Sequence, residues 1–260
     1  MYQVKQYLRA ESPEQAYEAL CESPDNGLIG GGLWMRMGRK AYGTLIDLSL
    51  LGLDRITEKD GFIEIGAMVS FRELETSPLI KGCFSGVLSK AVAPVVGTQF
   101  RRMATVGGTV WGKYAFSDLI PVLLALGAQV VLYQGGVMSL EDFLAAKATR
   151  DILLAVRVPA DDGKASCQAL RTSAADFAVL NVCVALCEAE WRVVVGNRPG
   201  VAMRCPEAEE ALREGRVQDA CAAVAGLSYS SNLRASAEYR RAMAPVLLER
   251  ALRQLKEAEL

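Results

Sequence analysis

Apolar and polar positions in the first part of the chain predict strands that alternate with short helices. Val4 and Tyr7 fit a short strand, and Ser12, which is followed by a proline, is typical of a residue that caps the start of a helix. After that helix, the apolar segment 27–29 predicts a brief strand that runs into three consecutive glycines at 30–32. The chain therefore opens in the order strand, helix, strand and glycine turn.

The same alternation continues to about residue 160. The pattern predicts strands at 45–48, 55–57, 62–65, 129–133 and 152–158, and helices that begin after Ser70, span 82–93 and span 119–126. A second glycine turn, at 105–109, precedes the last of these helices. Asp118 is expected to cap that helix, and Gly127 to end it.

The second part of the chain begins after a polar stretch without periodicity, at 160–164. This stretch predicts a domain boundary, with one domain over residues 1–160 and another over 161–260. Strands are expected at 179–186 and 192–195 and helices at 207–213 and 235–255, the last of them kinked or broken at Pro245. The charges of that helix are predicted to face solvent: Arg240, Arg241, Glu249, Arg250 and Arg253.

Charge and apolar content exclude two classes of function. With 29 Lys+Arg against 30 Asp+Glu and a net charge of -1, the chain lacks the basic field that nucleic-acid binding requires. The longest apolar run, 119–133, is shorter than the roughly 18 residues of a membrane span, so none is expected. The 51% of hydrophobic residues favours a surface that is covered by a partner subunit.

The cysteines predict a reducing compartment. All seven are scattered without a C-x-x-C pair, and no apolar leader follows the first residue, which favours reduced thiols in a cytoplasmic protein. Cys183 and Cys187 lie in an apolar run and are expected to be small buried hydrophobic residues.

The absence of histidine restricts the chemistry most strongly. A Ser-His-Asp or Cys-His catalytic site is impossible, and the cysteine spacing gives no start for a zinc or iron-sulfur site on this chain alone. The chemistry then has to come from carboxylates, lysines, thiols or a bound cofactor, and no paired-carboxylate site stands out. A cofactor is the preferred hypothesis.

The two glycine clusters are the candidate cofactor site. Glycines that follow a strand let backbone N–H groups approach a pyrophosphate closely, so two such turns would clamp a dinucleotide from both sides. Val in place of Gly31 or Gly107 is then expected to abolish binding by contacting the pyrophosphate. Neither cluster has the G-x-G-x-x-G or G-x-x-x-x-G-K-[ST] spacing, and each taken alone is equally compatible with a simple tight turn.

Taken in order, these segments resemble one known family over nearly the whole chain. The matching segments are 28–32 (LIGGG), 45–48 (LIDL), 65–67 (IGA), 101–108 (RRMATVGG), 118–128, 140–143 (LEDF), 151–159, 176–178 (DFA) and 236–240 (SAEYR). The arrangement resembles the FAD-binding, or medium, subunit of molybdenum hydroxylases of the xanthine dehydrogenase and carbon monoxide dehydrogenase type.

The resemblance implies both a fold and a role. The fold would be α+β: a PCMH-type FAD-binding domain of two α+β lobes, then a smaller domain of antiparallel sheet and helices. The chain would relay electrons through FAD in a hetero-oligomer, with the molybdenum cofactor on one partner subunit and 2Fe-2S clusters on another. FAD would be non-covalent, since no histidine is present to link it. The electron acceptor stays open.

The resemblance also assigns FAD-binding residues. The first turn would be Gly27, Leu28, Ile29, Gly30, Gly31, Gly32, Leu33 and Trp34, and the second Ala104, Thr105, Val106, Gly107 and Gly108. Thr105 would donate its hydroxyl. Asp118 would either bind FAD or only cap its helix, and Ile152 would either pack near the isoalloxazine or belong to the core. Gln168 stands near the position of a lysine that the family often has.

Departures from the family pattern keep other functions open. The usual first turn of the family is Ala-Gly-Gly-Thr-Asp. In this chain Gly30 stands in place of the alanine, Leu33 in place of the threonine and Trp34 in place of the aspartate, and Thr109 replaces an asparagine of the second turn. One alternative is therefore a scaffold subunit that lacks flavin, and another is a stand-alone flavin reductase. Trp34, Trp111 and Tyr114 would stack on adenine or flavin, or serve local packing.

Overall fold

A computed structural model describes residues 2–147, 149–161, 163–187 and 189–257. Its first unit is a three-stranded parallel sheet in the order β1-β3-β2, covered by one helix. The elements of this lobe are β1 (Gln3–Arg9), α1 (Pro13–Glu22), β2 (Gly27–Ile29) and β3 (Ala41–Asp47). Ser12 caps α1 by accepting a hydrogen bond from the Gln15 amide, as predicted.

The second lobe is a five-stranded antiparallel sheet in the order β4-β5-β8-β6-β7. Its strands are β4 (Ile56–Lys59), β5 (Phe62–Gly66), β6 (Gln129–Leu132), β7 (Gly136–Ser139) and β8 (Leu153–Pro159). Its helices are α2 (Phe71–Thr76), α3 (Pro78–Gly82), α4 (Val87–Val92), α5 (Thr98–Met103), α6 (Val106–Trp111), α7 (Leu119–Ala125) and α8 (Leu140–Ala145). The predicted hairpin at Asp60 and Gly61 is present, with both residues at positive φ.

The last part of the chain is a four-stranded antiparallel sheet in the order β12-β11-β10-β9, packed against three helices. Its strands are β9 (Lys164–Leu170), β10 (Leu180–Cys187), β11 (Glu190–Gly196) and β12 (Met203–Arg204), and its helices are α9 (Pro206–Arg213), α10 (Val217–Gly226) and α11 (Ala237–Glu257). The predicted α+β class, with two lobes and then an antiparallel sheet with helices, is confirmed.

The domain boundary at 160–164 stays a prediction, and Asp162 lies outside the described residues. One buried cluster includes residues from both sides of it, such as Ile63, Leu123, Ala185 and Val194. The sheets before and after the boundary therefore share a continuous apolar core.

Two predicted helices differ from the structure. The expected helix at 82–93 is broken, because Phe84 and Ser85 have positive φ and form a tight turn between α3 and α4. In contrast, α11 continues through Pro245 as one helix. Among the described residues, no helix is both long and apolar enough to cross a membrane.

Two predictions about individual side chains were wrong. Arg240 is only 1% exposed, because its guanidinium donates hydrogen bonds to the carbonyls of Val179, Ser230 and Ala235. Cys183 is buried, as is Cys187, but it is not a reduced thiol. It stands directly opposite Cys167 on the neighbouring strand, and the two form a disulfide.

Candidate functional site

The first glycine turn carries backbone donors whose hydrogen bonds none of the described residues accepts. The turn follows β2 at the carboxyl end of the parallel sheet, and Gly32 has a φ of 69°. The amides of Gly31, Gly32 and Leu33 donate no hydrogen bond to any described residue. Successive N–H groups of this kind form a concave site for an anion.

The second glycine segment is the first turn of a helix, and the amides of Val106, Gly107 and Gly108 are already bonded. Thr105 caps α6 by accepting from the Gly108 amide at 3.1 Å, and the Gly107 amide donates to the Ala67 carbonyl at 2.8 Å. The Val106 amide donates to Val69. The amides of Gly107 and Gly108 are therefore not available to a pyrophosphate, since the cap draws both glycines into the helix. The donors that this segment retains are the Thr105 amide, which donates to no described residue, and the Thr105 hydroxyl proton.

The glycines allow the two segments to approach each other. A Cβ on Gly31 would lie 1.4 Å from the carbonyl oxygen of Met103, and one on Gly30 would lie 2.6 Å from Oγ1 of Thr105. A Cβ on Gly107 would lie 2.6 Å from the Ala67 carbonyl. A larger residue at Gly31 or Gly107 would thus overlap protein backbone. This overlap is enough to explain why both positions are glycine, whereas the sequence-based expectation was a contact with the pyrophosphate.

On the side away from this contact, both segments line one cleft of about 270 Å³. Its lining includes Leu28, Ile29, Gly30, Gly31, Gly32, Leu33, Trp34, Ala104, Thr105, Gly107, Gly108 and Asp118 from the sequence-based assignment. The rest of the wall is mainly apolar, with Leu48, Met68 and Leu153 among its residues. Asp118 is the one charged side chain among the described lining residues.

Four aromatic rings form one cluster in the wall of this cleft. The ring centroid of Trp34 lies 5.7 Å from that of Tyr114, 4.9 Å from Phe116 and 5.9 Å from Phe177. Tyr114 and Phe116 are stacked, and Phe116 also contacts Phe177. Trp111 does not join them, because its ring packs on Phe143. The rings come from the first turn, the loop after α6 and the loop before β10.

Asp118 joins the cleft to the C-terminal sheet. It is buried, and its Oδ1 lies 2.8 Å from the Arg171 guanidinium and accepts a hydrogen bond from the Asn181 amide at 3.1 Å. Burial raises the pKa of the Asp118 carboxyl despite the nearby Arg171. The expected helix cap was wrong: the hydroxyl of Ser117 accepts from the first amides of α7, and the Asp118 carboxylate accepts none of them.

Four assigned residues lie outside the cleft lining. Gly27 packs beneath the Tyr42 ring, and Val106 is in the core. Ile152 is fully buried in the cluster behind the parallel sheet. The amide of Gln168 donates to Oε1 of Gln254 on α11. The assignment of these four residues to the cofactor stays a prediction, and the burial of Ile152 favours the alternative that it belongs to the core.

Sequence reasoning missed Leu153 and two rings of the aromatic cluster, Phe116 and Phe177. Successive residues of a strand point to opposite sides, so the neighbour of a core residue such as Ile152 is the one that faces the cleft. The alternation of side chains along the predicted strand could therefore have indicated that Leu153 faces the cleft. No local pattern indicated that Phe116 and Phe177 meet, since 61 positions separate them and only the packing of β10 beside α7 brings them together.

The residues fit a dinucleotide pyrophosphate at one end of the cleft. Three unpaired amides and the Thr105 hydroxyl are donors suited to phosphate oxygens, and the apolar and aromatic walls suit planar rings. The carboxylate in the lining is neutralised by Arg171 and does not repel an anion.

Comparisons with known proteins also indicate an FAD-binding domain, followed by a second domain. Residues 2–161 match the model for the FAD binding domain in molybdopterin dehydrogenase, and residues 165–255 match that for the CO dehydrogenase flavoprotein C-terminal domain. The chain is 26% identical over 272 residues to the nicotine 6-hydroxylase medium subunit of Paenarthrobacter nicotinovorans, covering 95% of each chain. It is 28% identical over 256 residues to the uncharacterized protein YgfM of Escherichia coli K12, covering 94% of each. Its fold matches the carbon monoxide dehydrogenase of Hydrogenophaga pseudoflava with a TM-score of 0.87 and 23% identity over 97% of each chain.

Proposed function

This chain belongs to the family of FAD-binding medium subunits of molybdenum hydroxylases, and from that premise we propose that it holds FAD non-covalently as the electron-relay subunit of such a complex. The bound flavin would supply the redox chemistry, taking electrons from iron-sulfur clusters on one partner subunit and delivering them to an external acceptor. The molybdenum cofactor would be on a further subunit. The residues that select the hydroxylated substrate would then lie outside this chain.

One observation carries the proposal: Gly31, Gly32 and Leu33, whose amides donate to no described residue, line the same cleft as Thr105. Unpaired backbone donors cost free energy unless water or a ligand satisfies them. A pyrophosphate provides the matching acceptors. Leu153 and Met68 would then exclude water from one side of a planar ring of the cofactor. The aromatic cluster would exclude water from another side of that ring.

The assembly follows from the same premise. The relative from Paenarthrobacter is a medium subunit by name, and the matched structure is a carbon monoxide dehydrogenase. We therefore infer a hetero-oligomer with a molybdenum subunit and a 2Fe-2S subunit. Purification of the tagged chain from its source, with mass spectrometry of the co-purifying polypeptides, tests this inference.

A second candidate function is a scaffold subunit that lacks flavin. The cleft volume of about 270 Å³ is just below the roughly 300–1,000 Å³ that ligand pockets usually have, and aromatic rings that pack on one another form part of its wall. Such a chain would keep the fold and its subunit contacts without a redox role.

The cofactor content of the purified chain separates these functions. A yellow protein that releases FAD on denaturation, identified by mass spectrometry, is the expected result. A colourless protein that still assembles with its partners and takes up no added FAD would support the scaffold function. Oxidation of NAD(P)H by the isolated chain would instead indicate a stand-alone reductase.

A further inference from the structure

Trp34 stands immediately after the unpaired amides of the first turn. This residue lines the cleft. Adjacent Cα atoms lie about 3.8 Å apart, so a group bound to the Gly32 and Leu33 amides is within a few ångströms of the start of this side chain. A phosphate held there brings the attached nucleoside close to the indole.

The indole orientation is fixed by rings from other segments. Trp34 contacts Tyr114, Phe116 and Phe177, at interplanar angles of 51°, 56° and 31°. A ring that is packed on several sides loses little further conformational entropy when it binds a ligand. The half-buried indole is therefore a pre-organised surface in the wall of the cleft.

The lining offers few other means of recognising a ring. Asp118 is the one formally charged side chain among the described lining residues, and Arg171 and Asn181 already occupy its Oδ1. The other polar side chains of the lining are hydroxyls, so stacking and apolar contact provide the largest contact area for a planar heterocycle. Indole is the largest aromatic surface available for that contact.

We propose that the Trp34 indole stacks on a planar ring of the bound dinucleotide. The inference rests on the proposed function, since it requires FAD in the cleft. The ring is either the adenine or the isoalloxazine, which share the planar aromatic chemistry that indole recognises.

The test compares Trp34→Phe and Trp34→Ala with the unaltered chain, and with Trp191→Phe as the matched control. Trp191 lies on β11 against the C-terminal cluster, away from the cleft lining. FAD affinity is measured by titration, ADP and FMN are measured as competitors of FAD, and thermal unfolding is followed for each variant.

Trp34→Ala should weaken FAD binding by about 5-fold to 100-fold, the effect of losing one aromatic stack on a base. Trp34→Phe should restore most of the affinity, and Trp191→Phe should leave it unchanged. Affinity for one half of the dinucleotide should fall, ADP if the adenine is stacked and FMN if the isoalloxazine is stacked, while affinity for the other half is kept.

Two results would overturn the stacking role alone: FAD affinity unchanged in Trp34→Ala, or an equal loss of ADP and FMN affinity with a lower unfolding temperature, which is the behaviour of a packing residue. An unaltered chain that binds no FAD would overturn the stacking role and the proposed function together. The two failures are therefore distinguishable.

Discussion

Gly31 and Met103 lie so close together that the space of one Cβ atom is already filled. A Cβ on Gly31 would stand 1.4 Å from the Met103 carbonyl oxygen, and that oxygen belongs to the last residue of α5. The first glycine turn thus rests directly on the segment that leads into α6. The relative position of the two sides of the cleft depends on the absence of a single methyl group.

Gly31→Ala is expected to separate the two segments and to impair FAD binding. Because the obstructing atom is backbone, it cannot rotate away, and the cost should be at least the roughly 1–3 kcal/mol that overpacking usually causes. Urea unfolding and the flavin content of the purified protein measure the two effects. Gly226→Ala is the matched control, since a Cβ there meets nothing within 4 Å. Retention of full stability and flavin by Gly31→Ala would contradict this packing argument.

Thr105 is expected to contribute separately to the fold and to the cofactor site. Its Oγ1 accepts from the Gly108 amide, while its proton remains available to a phosphate oxygen. Thr105→Val should lower the free energy of unfolding by about 1 kcal/mol, the usual cost of a lost cap. It should also weaken FAD binding by about 10-fold or more, since a hydrogen bond to a charged group is lost. Calorimetric titration with FAD and urea unfolding measure both changes.

Thr105→Ser is the informative comparison, because serine keeps the hydroxyl. It should retain the cap and most of the FAD affinity. If Thr105→Val bound FAD as tightly as Thr105→Ser, the hydroxyl would have no role in cofactor binding.

Glu75 fixes α5, and through it the contact with Gly31, by ion pairs with Arg101 and Arg72. Its carboxylate accepts from Nε of Arg101 at 2.8 Å and lies 3.0 Å from Nη1 of Arg72. Burial alone would raise the pKa of this carboxyl, but the hydrogen bonds from the two arginines outweigh burial and lower it. A lowered folded-state pKa means stability that is present above the unfolded pKa and lost as the pH falls through the folded one.

Glu75→Gln should therefore reduce the free energy of unfolding at neutral pH by about 1–3 kcal/mol. The difference from the unaltered chain should shrink as the pH falls below the ordinary range of a glutamate. Urea unfolding across this pH range measures it, with Glu58→Gln on the exposed face of β4 as the control. A difference that stays constant with pH would show that the charge of Glu75 is not what stabilises the fold.

Much of the fold was predictable because its local signals agree with one another. The capping box of Ser70 and Glu73 and the Asp60-Gly61 hairpin are both present, since each depends on residues only a few positions apart. Arg240 shows where local signals fail. Its acceptors are backbone carbonyls of a loop and of the residue before β10, together with the side-chain oxygen of Asn232, and no charge pattern in α11 could indicate them.

The candidate site was predictable in its location and less so in its chemistry. The two glycine segments line one cleft, as expected from the sequence. Their positions could be predicted because each segment stands at a recognisable place in the order of strands and helices. Which amides remain unpaired depends on a long-range contact, the bond from the Gly107 amide to Ala67, and a sequence gives no sign of it. The same is true of Asp118, whose role is set by Arg171 and Asn181.

The Asp118–Arg171 ion pair is expected to be the main polar tie between the cleft and the C-terminal sheet. Arg171→Met leaves the buried Asp118 carboxylate without its cation, at a cost of about 3–5 kcal/mol at neutral pH. Burial already raises the pKa of the Asp118 carboxyl in the folded state. Ionisation of this carboxyl therefore removes stability as the pH rises through its folded-state pKa, and the loss of Arg171 enlarges this effect.

The loss of stability in Arg171→Met, measured by urea unfolding, should therefore become smaller toward acidic pH, where the carboxyl is protonated. Asp118→Asn combined with Arg171→Met should recover much of the stability at neutral pH, because no unpaired charge remains. A double variant no more stable than Arg171→Met would mean that the arginine acts through its hydrogen bond to the Asp176 carbonyl.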